Sequence, residues 1–152
     1  MRISSVLIIL LTAFTIFSCK KSPFEDPALV GKWKMIEVRD NTNDTVFTKP
    51  ASVNENVEIV FSYSSSGKGE MIGNATIAPV RGSFTVGEQR TISIPLVYYD
   101  IDKVGFDIFW GSSEWDSEFL NNITISKSYF FDSSGNLNIN TTNNTTIVFT
   151  KE

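Results

Sequence analysis

The chain is 152 residues long, carries a formal charge of −4, and contains one cysteine and no histidine. Without an imidazole it cannot build serine-histidine or cysteine-histidine triads or the usual zinc and copper sites, and a single thiol has no intramolecular disulfide partner. The acids are scattered and no basic cluster stands out, so nucleic acid has no electrostatic footprint to bind.

The first element in the chain is apolar. Arg2 precedes a run from Val6 to Phe17, which closes on Ser18-Cys19 and is followed at once by Lys20 and Lys21. Its 12 residues are fewer than the roughly 20 that a spanning helix needs. A cationic start, an apolar stretch and a small residue before a cut make the layout of a secretory signal. Ile16-Phe17-Ser18-Cys19 resembles the lipobox of lipoprotein signal peptidase substrates. That resemblance implies cleavage after Ser18 and a thioether-linked diacylglycerol on Cys19. Each buried methylene contributes about 0.8 kcal/mol, so two or three acyl chains hold a protein on a membrane durably. Lys20 stands where an aspartate would retain many enteric lipoproteins on the inner membrane, so the expected location is the outer membrane, on either its periplasmic or its exterior face. The expected division is a signal peptide over 1–18, a lipidated flexible tether over 19–28 and one β domain over 29–152. The mature part is long enough to bury a core of its own.

From Val30 onward short β-favouring runs recur between clusters of glycine, asparagine and serine, the pattern of a β-sandwich or barrel. Val57, Ile59, Phe61 and Tyr63 alternate with Glu58, Val60 and Ser62, which predicts a strand with one face buried. Ile92, Ile94 and Leu96 give a second such face. Phe106, Ile108 and Trp110, then Leu137 and Ile139, then Ile147 and Phe149, give three more. Turn signals at Ser66-Gly67, Val86-Gly87-Glu88 and Ser133-Ser134-Gly135-Asn136 predict antiparallel neighbours. The asparagine- and threonine-rich stretch from Asn136 to Thr146 reads as a polar hairpin at a sheet edge.

One segment breaks the period. Trp115, Phe119 and Ile123 are four apart, as one face of a helix requires, and Ser112 or Ser113 can cap a first turn whose acids suit the positive helix end. A single helix over Glu114–Ile123 is therefore expected.

The order of these features resembles the META-domain family, the HslJ-like bacterial lipoproteins, over nearly all of the mature chain. Leu29-Val30-Gly31-Lys32-Trp33 looks like the family's opening glycine and tryptophan. Gly73-Asn74 and Arg81-Gly82-Ser83-Phe84 resemble its central motifs, and Glu114 to Ile123 occupies the place of its helix. The resemblance implies a mainly β fold, a small antiparallel barrel-like sheet of lipocalin-type topology with one short helix. It implies a loose link to envelope stress rather than a reaction. A glycine-x-tryptophan on the first strand is also seen in lipocalins, which makes a lipocalin-like carrier of a small apolar ligand the second reading. An eight-stranded barrel is wide enough either to be filled by its own side chains or to hold one small ligand. The 17 aromatics beyond the signal bury about 150–250 Å² each and favour the filled form.

Asp100, Asp102, Asp107, Glu114, Asp116 and Glu118 form the densest acidic region. Calcium takes six to eight oxygen ligands, but the spacing lacks the glycine-centred loop of an EF-hand, so a solvated face is the expectation and no metal or cofactor is assigned. Two of these carboxylates facing each other would be needed for a glycosidase-like hydrolase, the third reading. Adjacent aromatics at Tyr98-Tyr99 and Phe130-Phe131 should send one ring of each pair outward. Asp44-Thr45-Val46 resembles the three-residue O-glycosylation motif of some Bacteroidota envelope proteins, a match short enough to arise by chance, so glycosylation of Thr45 stays open. The function expected is that of a non-enzymatic envelope module. Its partners are the membrane, through the lipid on Cys19, and other envelope proteins.

Overall fold

A computed structural model describes residues 24–76, 78–99 and 113–152. The strands are β1 (Gly31–Asp40), β2 (Thr45–Thr48), β3 (Glu58–Tyr63), β4 (Gly69–Asn74), β5 (Pro79–Val86) and β6 (Ile92–Tyr99). After helix α1 (Glu114–Ile123) come β7 (Ser126–Phe131), β8 (Leu137–Thr141) and β9 (Thr145–Lys151). They form one antiparallel sheet in the order β6-β5-β4-β3-β1-β9-β8-β7, with β2 beside the far half of β1. Strands consecutive along the chain lie side by side from β3 to β6 and from β7 to β9, β2 pairs back onto β1 alone, and β9 returns to β1. The outer strands β6 and β7 approach each other, and Thr91 bridges to Ser128. The result is the expected mainly β, nearly closed barrel of antiparallel strands, with one α-helix among the described residues.

The hydrophobic alternation decides which way each strand faces. Val57, Ile59 and Phe61 are fully buried, while Glu58, Val60 and Ser62 between them are only partly covered. On β6 the expected face holds for Ile92 and Ile94 and then fails, because Leu96 is exposed. The pairing with β5 shifts register there, with Ser83 opposite Leu96 but Thr85 opposite Ser93. Pro95, which has no N–H to give the ladder, lies in the extra residue pair, and such a bulge swings the following side chains to the other face. Val97 and Tyr99 consequently pack against the core in place of Leu96. Phe106, Ile108 and Trp110 lie outside the described residues.

The stretch from Asn136 to Thr146 also departs from its expected place. It is not an edge hairpin, since β8 and β9 lie between β7 and β1. Leu137 faces Phe149 and Ile139 faces Ile147 across the pair, and all four are fully buried. The polar residues are tolerated because they are hydrogen-bonded: the Thr141 hydroxyl donates to the Thr145 carbonyl at 2.9 Å and accepts from the Thr145 amide at 3.1 Å.

Gly73 of β4 lies hard against the backbone of β3. A Cβ there would lie 2.0 Å from the Glu58 carbonyl oxygen, so the pairing excludes any side chain at that position.

The two ends of the barrel are closed differently. At the end where β1 begins, Leu29 is fully buried and its carbonyl accepts from the Trp33 indole N–H at 2.8 Å. At the other end α1 lies across the opening, with Trp115, Phe119 and Ile123 all fully buried, as the four-residue spacing requires. Phe119 meets Phe149 edge-on at 6.5 Å and Trp115 meets Phe47 at 5.7 Å. Ser113 caps the helix, accepting from the Asp116 amide at 3.2 Å.

Candidate functional site

Cys19, the one residue to which the sequence assigns a chemical role, lies outside the described residues, as do Asp100, Asp102 and Asp107. Three features within the described part carry polar or binding character: a carboxylate at each end of the barrel, and the outer surface.

At the β1 end, Asp26 is held from three directions. Its Oδ2 accepts from the Tyr129 hydroxyl at 2.5 Å, its Oδ1 from the Ala28 amide at 2.9 Å, and its own amide donates to the Tyr63 hydroxyl at 3.0 Å. Phe24, two residues earlier, pairs with Val86 at the end of β5. The part of the expected flexible tether from Phe24 to Ala28 is therefore fastened to the barrel. The correction has a simple cause. Tyr63 and Tyr129 have inward-facing rings whose hydroxyls need partners at the barrel end, and the passing chain supplies them. Nothing local in the sequence marks Asp26, since its tyrosines are 37 and 103 residues away.

Burial raises the Tyr129 hydroxyl well above the usual tyrosine range, and donation to the Asp26 carboxylate raises it further. Tyr63 and Tyr99 are also raised, chiefly by burial. A tyrosine whose proton is held more tightly in the folded state than in the unfolded one adds stability that is complete below the ordinary value of 10.0 and is lost as pH rises beyond it. Denaturant titrations should therefore show stability falling above about pH 10. In Tyr129→Phe the fall should be shallower. An unchanged slope would mean that Tyr129 does not contribute.

At the opposite end, Asp116 is fully buried and does not belong to a solvated acidic face, as its place among neighbouring acids suggested. Its Oδ1 accepts from the Thr76 amide at 2.7 Å, and its Oδ2 accepts from the hydroxyls of Thr76 and, at 3.2 Å, Ser113. The carboxylate pins the first turn of α1 to the turn between β4 and β5. Glu114 stays exposed, and the Glu118 carboxylate accepts from the Asn122 amide side chain at 3.1 Å. Among the described residues no three acids come together as a cation site.

Among the described residues, apolar side chains pack together in the interior. Phe61, Phe119, Phe149, Ile59, Ile94, Ile139 and Met71 expose no surface even to a water-sized sphere, inner voids included. Phe61 meets Phe84 edge-on at 4.9 Å across the core. These side chains therefore line no ligand-sized cavity. Among the described residues, several grooves open to solvent. The one at the β1 end has about 410 Å³ and is lined by Phe24, Tyr63, Lys68, Phe84 and Val86 among others.

On the outside, one ring of each aromatic pair does point outward: Tyr98 and Phe130 are exposed, Tyr99 and Phe131 pack against the core. Thr45 begins β2 and is exposed.

No protein-family model matches the chain, and no curated protein matches it. Among solved structures it is similar to a protein from Burkholderia xenovorans determined by NMR, with a TM-score of 0.60 and 12% identity over 89% of this chain and 93% of that one. It is also similar to a DUF4847 family protein from Bacteroides vulgatus determined by crystallography, with a TM-score of 0.53 and 14% identity over 83% of this chain and 96% of that one. At such low identity what these proteins share with the chain is the fold: a small antiparallel barrel-like sheet with one helix.

Proposed function

We propose that this is a non-enzymatic lipoprotein of the outer membrane, held by lipid on Cys19, whose filled barrel acts through contacts of its outer surface with other envelope proteins. The observation that carries this reading is the packing of the interior. A carrier of a small apolar ligand would need an enclosed void of about 300 Å³ or more, and the central side chains leave none around themselves. A hydrolase would need two carboxylates about 5–10 Å apart. Among the described residues, Asp26 and Asp116 belong to opposite ends of the barrel and are each committed to hydrogen bonds that hold the chain in place. The resemblance to META-domain lipoproteins, carried by Gly31, Trp33, Gly73 and the helix from Glu114, supports the same reading.

Cells grown with labelled palmitate test the anchor. The intact protein is expected to take up label and to sediment with membranes, and Cys19→Ala to do neither. An unlabelled, freely soluble wild type would overturn the anchor. Recovery of an apolar small molecule in stoichiometric amount from purified Cys19→Ala protein would overturn the filled barrel.

A further inference from the structure

At the end of the barrel where α1 lies, the inward rows of the sheet turn from apolar to polar. Phe47, Val38 and Ile147 are directly paired across β2, β1 and β9, and two residues further along Thr45, Asp40 and Thr145 form the next row on the same face. Facing this row, α1 presents Glu118, Asn121 and Asn122. The two asparagines follow Glu118 by three and four positions, so all three share one edge of the helix. With Asn143 from the β8-β9 turn, the polar row and the helix edge line a cleft of about 380 Å³. That lies within the roughly 300–1,000 Å³ of small-ligand sites.

Hydrogen bonds within the protein orient these groups and leave each with capacity to spare. Asn122 donates to the Glu118 carbonyl at 2.8 Å and to the Glu118 carboxylate Oε2 at 3.1 Å, which leaves its own side-chain oxygen as an acceptor. The Asn143 side-chain oxygen accepts from the Thr141 hydroxyl, which leaves its N–H₂ as a donor. Asp40 accepts from the Thr42 amide at 2.8 Å, the Asn43 amide at 3.3 Å and the Asn43 side chain at 2.7 Å. A carboxylate has about four acceptor sites, so one stays open. Asn122 is 5% exposed and Thr145 9%. The Thr145 hydroxyl has no partner among the described residues, since the hydrogen bonds of Thr145 run through its backbone. Polar atoms so deeply set and not paired within the protein gain from a ligand that supplies their missing partners.

The chemistry of the lining selects the ligand. It includes two acids and no cation, so phosphate, sulfate and uronate groups are repelled. Carboxylates accept, carboxamides both donate and accept, and threonine hydroxyls do either. A ligand rich in hydroxyls, each of them donor and acceptor at once, matches that mixture. Val38 and Phe47 supply the apolar part, against which the C–H face of a sugar ring can rest. We propose that the cleft between the Thr45-Asp40-Thr145 row and the Glu118-Asn121-Asn122 edge of α1 binds an uncharged sugar chain. This site needs no lipid on Cys19 and is separate from the protein contacts proposed above.

NMR of the full lipidated, isotope-labelled protein in micelles of a sugar-free detergent tests the site. The probes are maltotriose, cellotriose and triacetylchitotriose, each at about 10 mM, which reveals even millimolar affinity, with trigalacturonate as the anionic counterpart. At least one neutral trisaccharide is expected to move the side-chain amide signals of Asn121, Asn122 and Asn143 and the backbone amide of Thr145, and trigalacturonate to move none of them. Asn121 and Thr45 are exposed, so Asn121→Ala and Thr45→Val should keep the fold and weaken binding by about ten-fold, or 1.4 kcal/mol. Lys127→Ala, on β7 away from the cleft, should leave it unchanged. No movement with any of the three sugars, movement confined to other residues, an equal response to trigalacturonate, or unchanged affinity in both cleft variants overturns the proposal. Calcium chloride moving these signals where the sugars do not would make the cleft a cation site and overturn it as well.

Discussion

Trp115→Ala is expected to cost about 3–5 kcal/mol of stability, a large part of what a domain of this size commands. The indole is fully buried beneath α1 and in contact with Phe47, so truncation removes its transfer free energy and leaves a void that a helix held at both ends cannot collapse to fill. Urea unfolding followed by circular dichroism should show the midpoint falling with little change in slope. Trp115→Phe makes the argument sharper. The indole N–H has no hydrogen-bond partner, so the smaller ring forfeits volume but no bond, and a cost of about 1–2 kcal/mol is expected. A phenylalanine variant as unstable as the alanine variant would show that the N–H, rather than the bulk of the ring, matters there.

The second large effect concerns Asp116. Removing its carboxylate in Asp116→Ala strips the Thr76 amide of its acceptor and takes one partner from the hydroxyls of Thr76 and Ser113. Hydrogen bonds to a charged group contribute about 1.5–3 kcal/mol, and a buried donor left unpaired costs about 1–3 kcal/mol, so a net loss of about 3–4 kcal/mol is expected. Asp116→Asn keeps an acceptor for the Thr76 amide and offers an N–H₂ to hydroxyls that can accept, and should cost about 1–2 kcal/mol. Amide hydrogen exchange gives the local readout. The Thr76 amide should lose protection in the alanine variant ahead of the amides of β1 and β9 in the sheet centre. If Thr76 and β1 lose protection together, Asp116 supports the whole domain rather than the joint between α1 and the β4-β5 turn.

The outward course of β6 and the helix that closes the barrel were legible in the sequence to very different degrees. The helix announced itself, because its cap, its first-turn acids and the four-residue spacing of Trp115, Phe119 and Ile123 are all local signals that a tertiary fold has no reason to override. The same local reading misplaced Asp116, which the run of neighbouring acids made look solvated. Its partner Thr76 is 40 residues away, and only the packing of α1 against the β4-β5 turn brings the two together. Leu96 failed for a related reason: the alternation reads as continuous until a bulge at Pro95 reverses it, and a bulge depends on the partner strand. The reversal leaves Leu96 exposed on the outside of β6.

By itself the sequence determined the elements: which short runs alternate, where turns interrupt them, where the helix begins, and that imidazole chemistry is excluded. Those follow from local sterics and from the spacing of apolar side chains along one strand or one turn of helix. Tertiary structure alone decided that the Asn136–Thr146 hairpin sits inside the sheet, that Asp26 ties the incoming chain to Tyr63 and Tyr129, and that rings from elements distant in sequence meet in the core. Each of those depends on contacts between residues tens of positions apart, whose free energy exists only once the barrel has closed and water has been expelled from between them.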